Sequence, residues 1–221
     1  VDNDQDYEII AGNDGGDLFI LNHDGSIYSQ FSTGDDIRSG IALGDIDQNG
    51  SVELIIVGYD DYMHVWNPIT NSELDGWPVD LGHNSVSAPV LADIDNDGIL
   101  DIITASKDGK IHAFNSNGLL VNNFPVSTGL SIDSPPAVSD IDNDGDYELL
   151  IGTSGGLEVI DIKSVAGNLS SWKMHRGNHR RTGVYNAQSL MNAVNEGWTG
   201  PGSFAVSHNF PNPFNPTTTF Q

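Results

Sequence analysis

The stretch Asp93-Ile-Asp-Asn-Asp-Gly-Ile-Leu-Asp101 decides how this chain folds, because it returns at a nearly constant spacing. Close copies are Asp45-Ile-Asp-Gln-Asn-Gly-Ser-Val-Glu53 and Asp140-Ile-Asp-Asn-Asp-Gly-Asp-Tyr-Glu148, and the chain opens inside a fourth copy, Asp2-Asn-Asp-Gln-Asp-Tyr-Glu8. The last acidic position falls at residues 8, 53, 101 and 148, in steps of 45, 48 and 47. A period of this size indicates a repeat architecture in which each unit packs on its neighbours.

Two short apolar runs follow each acidic loop. The first run begins at the closing acid and reads Glu53-Leu-Ile-Ile-Val-Gly58, Asp101-Ile-Ile-Thr-Ala-Ser106 and Glu148-Leu-Leu-Ile-Gly-Thr153. The second run ends in Asn or Asp and occupies residues 18–22, 63–67, 111–115 and 157–161. Runs that are apolar at successive positions and bracketed by turn residues predict β-strands covered on both faces.

The size of the unit predicts the fold. About 47 residues with three or four short strands is the size of a propeller blade, and sheets packed face to face around an axis would cover both strand faces. An aromatic residue marks the end of each unit, at Phe31, Trp77, Phe124 and Trp172. We therefore predict an all-β protein, a β-propeller fragment of about four blades.

Acidic residues outnumber basic ones by 31 to 8, which gives a net charge of −23. Because phosphate binding needs a basic surface, this balance argues against nucleic acid as a partner. Sixteen of the acidic residues lie in the four loops, where they are clustered as for cation capture. The sequence has no cysteine and no apolar run long enough for a transmembrane segment, so it predicts neither disulfides nor a membrane span.

The loops carry oxygen ligands in the arrangement that calcium prefers. Positions 1, 3 and 5 hold carboxylates or amides, position 9 holds a carboxylate, position 7 offers its carbonyl, and glycine at position 6 permits a sharp turn. Carboxylates about 5 Å apart repel each other by about 3 kcal/mol at an effective dielectric constant near 20, and a divalent ion removes that repulsion. An EF-hand would close at position 12 between two helices. The alternative left open is a metal-free turn rich in Asp and Asn.

The predicted cofactor is therefore Ca²⁺, and every loop contributes ligands. The predicted ligands are Asp2, Asp4, Asp6 and Glu8; Asp45, Asp47, Asn49, Ser51 and Glu53; Asp93, Asp95, Asp97, Ile99 and Asp101; and Asp140, Asp142, Asp144, Asp146 and Glu148.

Loop and period together resemble the FG-GAP or VCBS repeats of integrin-type β-propellers, whose blades carry D-x-D-x-D-G-x-x-D calcium loops between their first two strands. The Ala88-Pro89 and Pro136-Ala137 steps resemble the G-A-P segment of that family, although no complete F-G-x-x or G-A-P is present. The resemblance extends over residues 1–185, more loosely after residue 163. It implies that these blades belong to a ring of seven and that the chain is truncated at its N-terminus.

The repeat stops after Tyr185, and Gly197, Gly200, Pro201 and Gly202 predict a linker over residues 186–204. The segment His208-Asn-Phe-Pro-Asn-Pro-Phe-Asn-Pro-Thr-Thr218 resembles the start of a type A C-terminal sorting domain of the type IX secretion system. This resemblance implies a truncated sorting domain at 205–221, the outer-membrane secretion machinery as a partner, and an extracellular or cell-surface location. A proline-rich turn in an unrelated linker is the alternative.

No nucleophile motif or phosphate loop is present, and the paired carboxylates all belong to the predicted metal loops. The leading hypothesis is a secreted or cell-surface module, not an enzyme, that holds structural calcium and recognises a protein or polysaccharide. The alternatives are the calcium-containing propeller of a polysaccharide lyase of the rhamnogalacturonan type and a spacer attached to an upstream catalytic domain.

Four histidines are candidate metal ligands by residue type. His64 and His112 occupy equivalent repeat positions, which favours a role set by strand register over a ligand pair. His175 and His179 have a spacing that binds zinc on a helix with a third ligand, but Gly177 argues against a helix. The neighbouring lysine and arginine residues favour a basic patch instead.

Overall fold

The computed structural model describes residues 6–167, 170–178 and 181–185. Within these ranges the chain forms sixteen β-strands in four antiparallel sheets. No helix in this part of the chain is long and apolar enough to cross a membrane. The predicted linker at 186–204 and the predicted sorting domain at 205–221 lie outside the described residues.

The four sheets follow one another along the chain and are called blades 1 to 4. Blade 1 contains β1 (Ile9–Gly12), β2 (Asp17–Leu21) and β3 (Ile27–Ser32). Blade 2 contains β4 (Ala42–Gly44), β5 (Glu53–Val57), β6 (Tyr62–Asn67), β7 (Ser72–Glu73) and β8 (Val79–Asp80). Blade 3 contains β9 (Val90–Ala92), β10 (Asp101–Ala105), β11 (Lys110–Phe114) and β12 (Val126–Ser127). Blade 4 contains β13 (Ala137–Ser139), β14 (Asp146–Thr153) and β15 (Gly156–Val165).

This arrangement confirms the predicted all-β fold with four blade-like sheets. The reason lies in the apolar runs, because every residue of β5 and of β10 is buried. Leu54 and Ile56 of β5 pack toward blade 1, whereas Ile55 and Val57 pack toward blade 3. Burial of one such side chain contributes about 1.5–3 kcal/mol, so a strand used on both faces is a strong link between neighbouring sheets.

The acidic loops connect the first two strands of blades 2, 3 and 4, at the position that the resemblance implied. Glu53 and Asp101, the closing acids, begin β5 and β10 as predicted. In blade 4 the strand begins earlier, at Asp146, because Asp146 pairs with Val165 on the long strand β15 across a bulge.

A final strand, β16 (Ser170–Trp172), departs from the repeat order. It pairs with β9, with Trp172 opposite Leu91, and so adds to blade 3. The aromatic spacing would place Trp172 at the end of the fourth unit instead. Burial explains the difference, since Trp172 belongs to the core that joins blades 2 and 3, together with Trp77.

Candidate metal centres

The three complete acidic loops share one backbone conformation. The residue at loop position 4 has a positive φ in each, 58° at Gln48, 62° at Asn96 and 63° at Asn143. The glycine at position 6 also has a positive φ, 87° at Gly50, 84° at Gly98 and 95° at Gly145. Glycine adopts this region freely, whereas most other residues, apart from Asn and Asp, rarely do. The backbone conformation at position 6 therefore explains why glycine occurs there in every complete loop.

One hydrogen bond ties the closing acid across each loop. The backbone N–H at position 2 donates to the carboxylate at position 9, from Ile46 to Glu53 at 2.8 Å, from Ile94 to Asp101 at 2.9 Å, and from Ile141 to Glu148 at 2.6 Å. All three closing acids are buried. The first residue of the following strand in blades 2 and 3, and the third in blade 4, therefore places a carboxylate inside the loop.

Further bonds within the loops hold positions 3 and 5. In each loop a side-chain oxygen at position 3 accepts the N–H of position 5, and a side-chain oxygen at position 5 accepts the N–H of position 7. The position-3 acceptors are Asp47, Asp95 and Asp142, each at 3.2 Å. The position-5 acceptors are Asn49 at 2.7 Å, Asp97 at 2.8 Å and Asp144 at 3.2 Å. The backbone thus orients these side chains before any ligand binds.

The result is a group of three carboxylates in each complete loop. Oxygens of the acids at positions 1, 3 and 9 all lie within 4.8 Å of one another, in the sets Asp45, Asp47 and Glu53, Asp93, Asp95 and Asp101, and Asp140, Asp142 and Glu148. Blade 4 also brings Asp144 and Asp146 together with Glu148. Asp97, at position 5 of the blade 3 loop, is not part of its group.

Several oxygens in these groups fit a bound cation. Asp45 Oδ1, Asp146 Oδ1 and Glu148 Oε1 are buried and have no hydrogen-bond partner among the described residues. A buried acceptor without a partner costs about 1–3 kcal/mol, more if it is charged. Hard divalent cations prefer carboxylate oxygens, so this donor set suits calcium.

The raised pKa values of two closing acids also favour a bound cation. Burial, reinforced by the charges of Asp47 and Asp45, raises the pKa of Glu53 to about 7. Burial and the neighbouring carboxylates raise the pKa of Asp101 to about 7 as well. Both pKa values are raised because burial and neighbouring negative charges disfavour the ionised carboxylate. A divalent cation bound in the loop would favour the ionised form.

The first, partial loop differs from the other three. Asp2 and Asp4 lie outside the described residues. Asp6 is exposed, and its Oδ2 lies 3.3 Å from Nδ1 of His23. Among the residues that the structure describes, no group of three acidic side chains includes Asp6 or Glu8.

Asn67, which the loop pattern did not predict as a site residue, supports the loop of blade 2. Its side-chain amide donates to Glu53 Oε1 at 2.9 Å and to Ser51 Oγ at 3.1 Å. The signal was present, because Asn or Asp ends the second strand of every repeat. Gln48 adds a contact between loops, since its Nε2 donates to the carbonyl of Gly98 at 2.6 Å.

The structure describes three of the four candidate histidines, His64, His112 and His175. His64 and His112 contact groups of their own blades, so they are not a ligand pair. Residues 174–178 form turns and bends, with Gly177 at φ 79°, so this stretch is not the helix that a zinc pair would need. His179 lies outside the described residues.

A cleft of about 960 Å³ opens beside the segment that follows β16. Its walls combine aromatic side chains with cationic and hydroxyl groups, among them Tyr7, Trp172, Tyr185, Arg38, Arg176 and Thr182. Arg38 is held by Asp36, whose Oδ2 lies 2.6 Å from Nη2. His175, also in the wall, has a buried Nδ1 with no partner among the described residues.

A sequence profile of the FG-GAP-like repeat matches residues 45–104 and again residues 93–151. Each match begins at the first Asp of an acidic loop. The chain therefore carries FG-GAP-like repeats in a β-propeller-like fold. No curated protein matches the sequence significantly.

Three solved structures illustrate the likeness in fold. BBS1N in complex with ARL6DN has a TM-score of 0.55 and 16% identity, over 74% of this chain and 49% of that one. BamB from Moraxella catarrhalis has a TM-score of 0.53 and 22% identity, over 72% and 44%. The WD40 β-propeller domain of Doa1 has a TM-score of 0.51 and 16% identity, over 73% and 48%. This chain thus spans just under half the length of each, and the likeness shows the fold alone.

Proposed function

We propose that this chain is a calcium-binding β-propeller module in which the metal is structural. The observation that carries the proposal is the threefold recurrence of one loop that gathers three carboxylates within 4.8 Å. Bound calcium would neutralise these charges and fill the open acceptor positions of the carboxylates. Each loop links the end of one strand to the start of the next, so neutralising it stabilises the blade.

The residues that would hold the ion follow from the loop positions. Carboxylates at positions 1, 3 and 9 form the core of each site. The side chains of Asn49, Asp97 and Asp144 and the carbonyl oxygens of Ser51, Ile99 and Asp146 complete the oxygen set. All of the proposed calcium ligands therefore lie within the loops.

Calcium titration by isothermal calorimetry tests this assignment. The chelator-treated chain should bind about three ions, and Asp47→Ala, Asp95→Ala and Asp142→Ala should each remove one. Asp75→Ala, which is exposed and outside any loop, should leave the stoichiometry unchanged. A wild-type chain that gives no calcium heat would overturn the proposal.

We further propose that the module is not an enzyme and recognises a protein or polysaccharide through the cleft of about 960 Å³. Aromatic faces beside cationic and hydroxyl groups are suited to a sugar surface. Binding to a panel of polysaccharides, with Tyr185→Ala and Arg176→Ala as variants, tests the cleft. Unsaturated products released from pectic polysaccharide would instead establish a lyase.

An extracellular location fits the proposed metal. Sites with an affinity of about 10⁻⁴ M fill at the millimolar calcium found outside cells and stay empty at cytosolic levels. The resemblance of residues 208–218 to a sorting domain supports the same address. Expression of the complete gene in a type IX-competent host, followed by cell fractionation, tests it. A product retained in the periplasm would count against export.

A further inference from the structure

The acidic loop of blade 4 brings together two overlapping groups of carboxylates, whereas the loops of blades 2 and 3, which the structure describes in full, each form one. The first group is Asp140, Asp142 and Glu148, at loop positions 1, 3 and 9, as in the other blades. The second group is Asp144, Asp146 and Glu148, at positions 5, 7 and 9, and its oxygens also lie within 4.8 Å of one another. Glu148 is therefore common to both groups.

The loop of blade 2 shows which groups surround the closing acid when there is no second carboxylate group. Glu53 Oε2 accepts the N–H of Ile46, and Glu53 Oε1 accepts the side-chain amide of Asn67 at 2.9 Å. The hydroxyl of Ser51, at loop position 7, lies 3.4 Å from the same Oε1. Both oxygens of the closing acid therefore have hydrogen-bond donors in blade 2.

Blade 4 replaces both of these side-chain donors by carboxylates. Position 7 is Asp146 instead of serine, and Asp161 lies opposite Glu148 on β15, where the second strand of blade 2 ends in asparagine. An ionised carboxylate cannot donate a hydrogen bond. Glu148 is only 4% exposed, and its Oε2 accepts the N–H of Ile141, but its Oε1 is buried without a partner among the described residues. Asp146 Oδ1 is also buried and unpartnered in that part of the chain. Two buried acceptors are therefore open where blade 2 has donors.

The charge around the two loops differs in the same sense. The blade 2 loop has three acidic residues, so that one bound calcium ion leaves a charge of −1. The blade 4 loop has five acidic residues, Asp161 adds a sixth, and the Nζ of Lys163, bound to Asp161, offsets one of them. One calcium ion would leave −3 in blade 4, and a second would bring the charge to the −1 of blade 2.

The lysine on β15 does not fill the open position itself. The side chain of Lys163 is 70% exposed, and its ammonium is bound to Asp161. Among the residues that the structure describes, no lysine, arginine or histidine forms an ion pair with Asp144, Asp146 or Glu148. A cation from solution is therefore needed to satisfy the second group.

We propose that the loop of blade 4 binds a second calcium ion, held by the side chains of Asp144, Asp146 and Glu148. The proposal rests on the proposed function, since Asp144 and Glu148 would bridge this ion to the structural ion of the same loop. Three carboxylates leave room for water in the shell of 6–8 oxygens that calcium takes. The second ion binds more weakly than the first, because two divalent charges in one loop repel each other. It therefore adds to the three loop ions only at high calcium.

Equilibrium dialysis of the full 221-residue chain against calcium well above millimolar, followed by metal analysis, tests the proposal. The wild type should hold four ions per chain, one for each carboxylate group. Asp146→Ser, which introduces the residue of blade 2, and Asp146→Asn, which keeps the shape of the side chain, should each hold three. Asp75→Ser makes the same charge change outside any loop and should keep four. Glu8→Ala, in the partial first loop, should also keep four.

This count separates failure of the second ion from failure of the proposed function. A wild type that holds three ions would overturn the second ion and leave the structural calcium of the loops intact, whereas a wild type that holds none would overturn both. Four ions in both Asp146 variants would also overturn it, and the loss of one in Glu8→Ala would place the fourth ion in the first loop. The melting temperature in calcium identifies folded variants, and Asp146→Asn decides the case if Asp146→Ser does not fold.

Discussion

Blades 2 and 3 have the same strand register, but the pKa values of their equivalent histidines are shifted in opposite directions. His64 in β6 bonds through Nε2 to Asp60 at 2.7 Å and through Nδ1 to Glu73 at 2.6 Å. His112 in β11 has a hydroxyl neighbour instead, with its Nε2 3.2 Å from Ser106 Oγ. Burial alone would lower the pKa of either ring. The carboxylates outweigh burial in blade 2 and raise the pKa of His64 to about 9, whereas burial prevails in blade 3 and lowers the pKa of His112.

Two changes beside the ring account for the difference: Leu120 lies opposite Phe114 where Glu73 lies opposite Trp66 in blade 2, and a lysine binds the other carboxylate. Asp108 is the counterpart of Asp60, but it accepts hydrogen bonds from Lys110 Nζ at 2.5 Å and from Ser106 Oγ at 2.6 Å. Although burial opposes the shift, these bonds lower the pKa of Asp108 to about 2. Strand register therefore places a buried histidine, while the residues beside it decide whether it carries charge.

The acidic loops, which blades 2 and 3 share, should have the largest effect on stability through their bound calcium. Removing calcium with a chelator should lower the free energy of unfolding by about 4 kcal/mol, since three independent sites of about 10⁻⁴ M affinity contribute about 1.4 kcal/mol each at millimolar calcium. The melting temperature, measured by scanning calorimetry, should fall by roughly 10 °C. Adding calcium back should restore it, and an unchanged midpoint would contradict structural metal.

The histidine pair should give the next largest effect and opposite pH dependences. His64 has a folded pKa of about 9, above its ordinary value, so its contribution is complete below about pH 6.5 and is lost as pH rises through 9. At about 1.4 kcal/mol per pKa unit, His64→Gln should cost up to about 3 kcal/mol at pH 6.5. His112 has a lowered pKa, so its contribution is present above about pH 6.5 and is lost as pH falls.

Urea unfolding at saturating calcium between pH 6 and 9.5 measures how the free energy of unfolding changes with pH in the wild type and in each histidine variant. Stability should decline with pH in the wild type and in His112→Gln, and this decline should be much weaker in His64→Gln. A decline of the same size in all three proteins would exclude His64 as its source.

Asp95→Ala should break one of the shared metal loops. In calcium it should lower stability by about 1.4 kcal/mol, the contribution of one site. In chelator the loss should vanish or reverse, because burial and the charge of Asp97 already raise the pKa of Asp95 and its removal relieves repulsion. Asp75→Ala should change stability by less than about 0.5 kcal/mol in either condition. Equal losses for the two variants in calcium would remove Asp95 from the ligand set.

The smallest expected effect concerns the support of the blade 2 loop. Asn67 and Asn115 end equivalent strands, and both accept backbone N–H groups of the following turn. Asn67 also donates to Glu53. Asn67→Ala should therefore weaken calcium binding at the blade 2 loop by about 1 kcal/mol, a typical hydrogen-bond contribution. Calorimetric titration should show no such loss for Asn115→Ala, and matching losses would mean that turn capping alone explains both.

Much of the fold could be predicted because it depends on contacts inside one repeat. The period, the apolar runs and the glycine at loop position 6 are local, and β5 and β10 begin at Glu53 and Asp101 as expected. The grouping of loop positions 1, 3 and 9 was predictable for the same reason. Asp97, predicted as a ligand at loop position 5, is not in the group of Asp93, Asp95 and Asp101, and its role as a ligand stays a prediction.

The sequence by itself determined which residues form strands and which form acidic loops, since spacing and side-chain type act over a few residues. Only the tertiary structure decided that Trp172 joins blade 3, that Asn67 reaches Glu53, and that Lys110 and Ser106 donate hydrogen bonds to Asp108 beside His112. It also decided that Ile9 and Ile27 of blade 1 and Leu157 and Val159 of blade 4 are exposed. These outcomes depend on which surfaces meet and which charges lie within hydrogen-bonding distance, and a linear pattern does not record distances between its repeats.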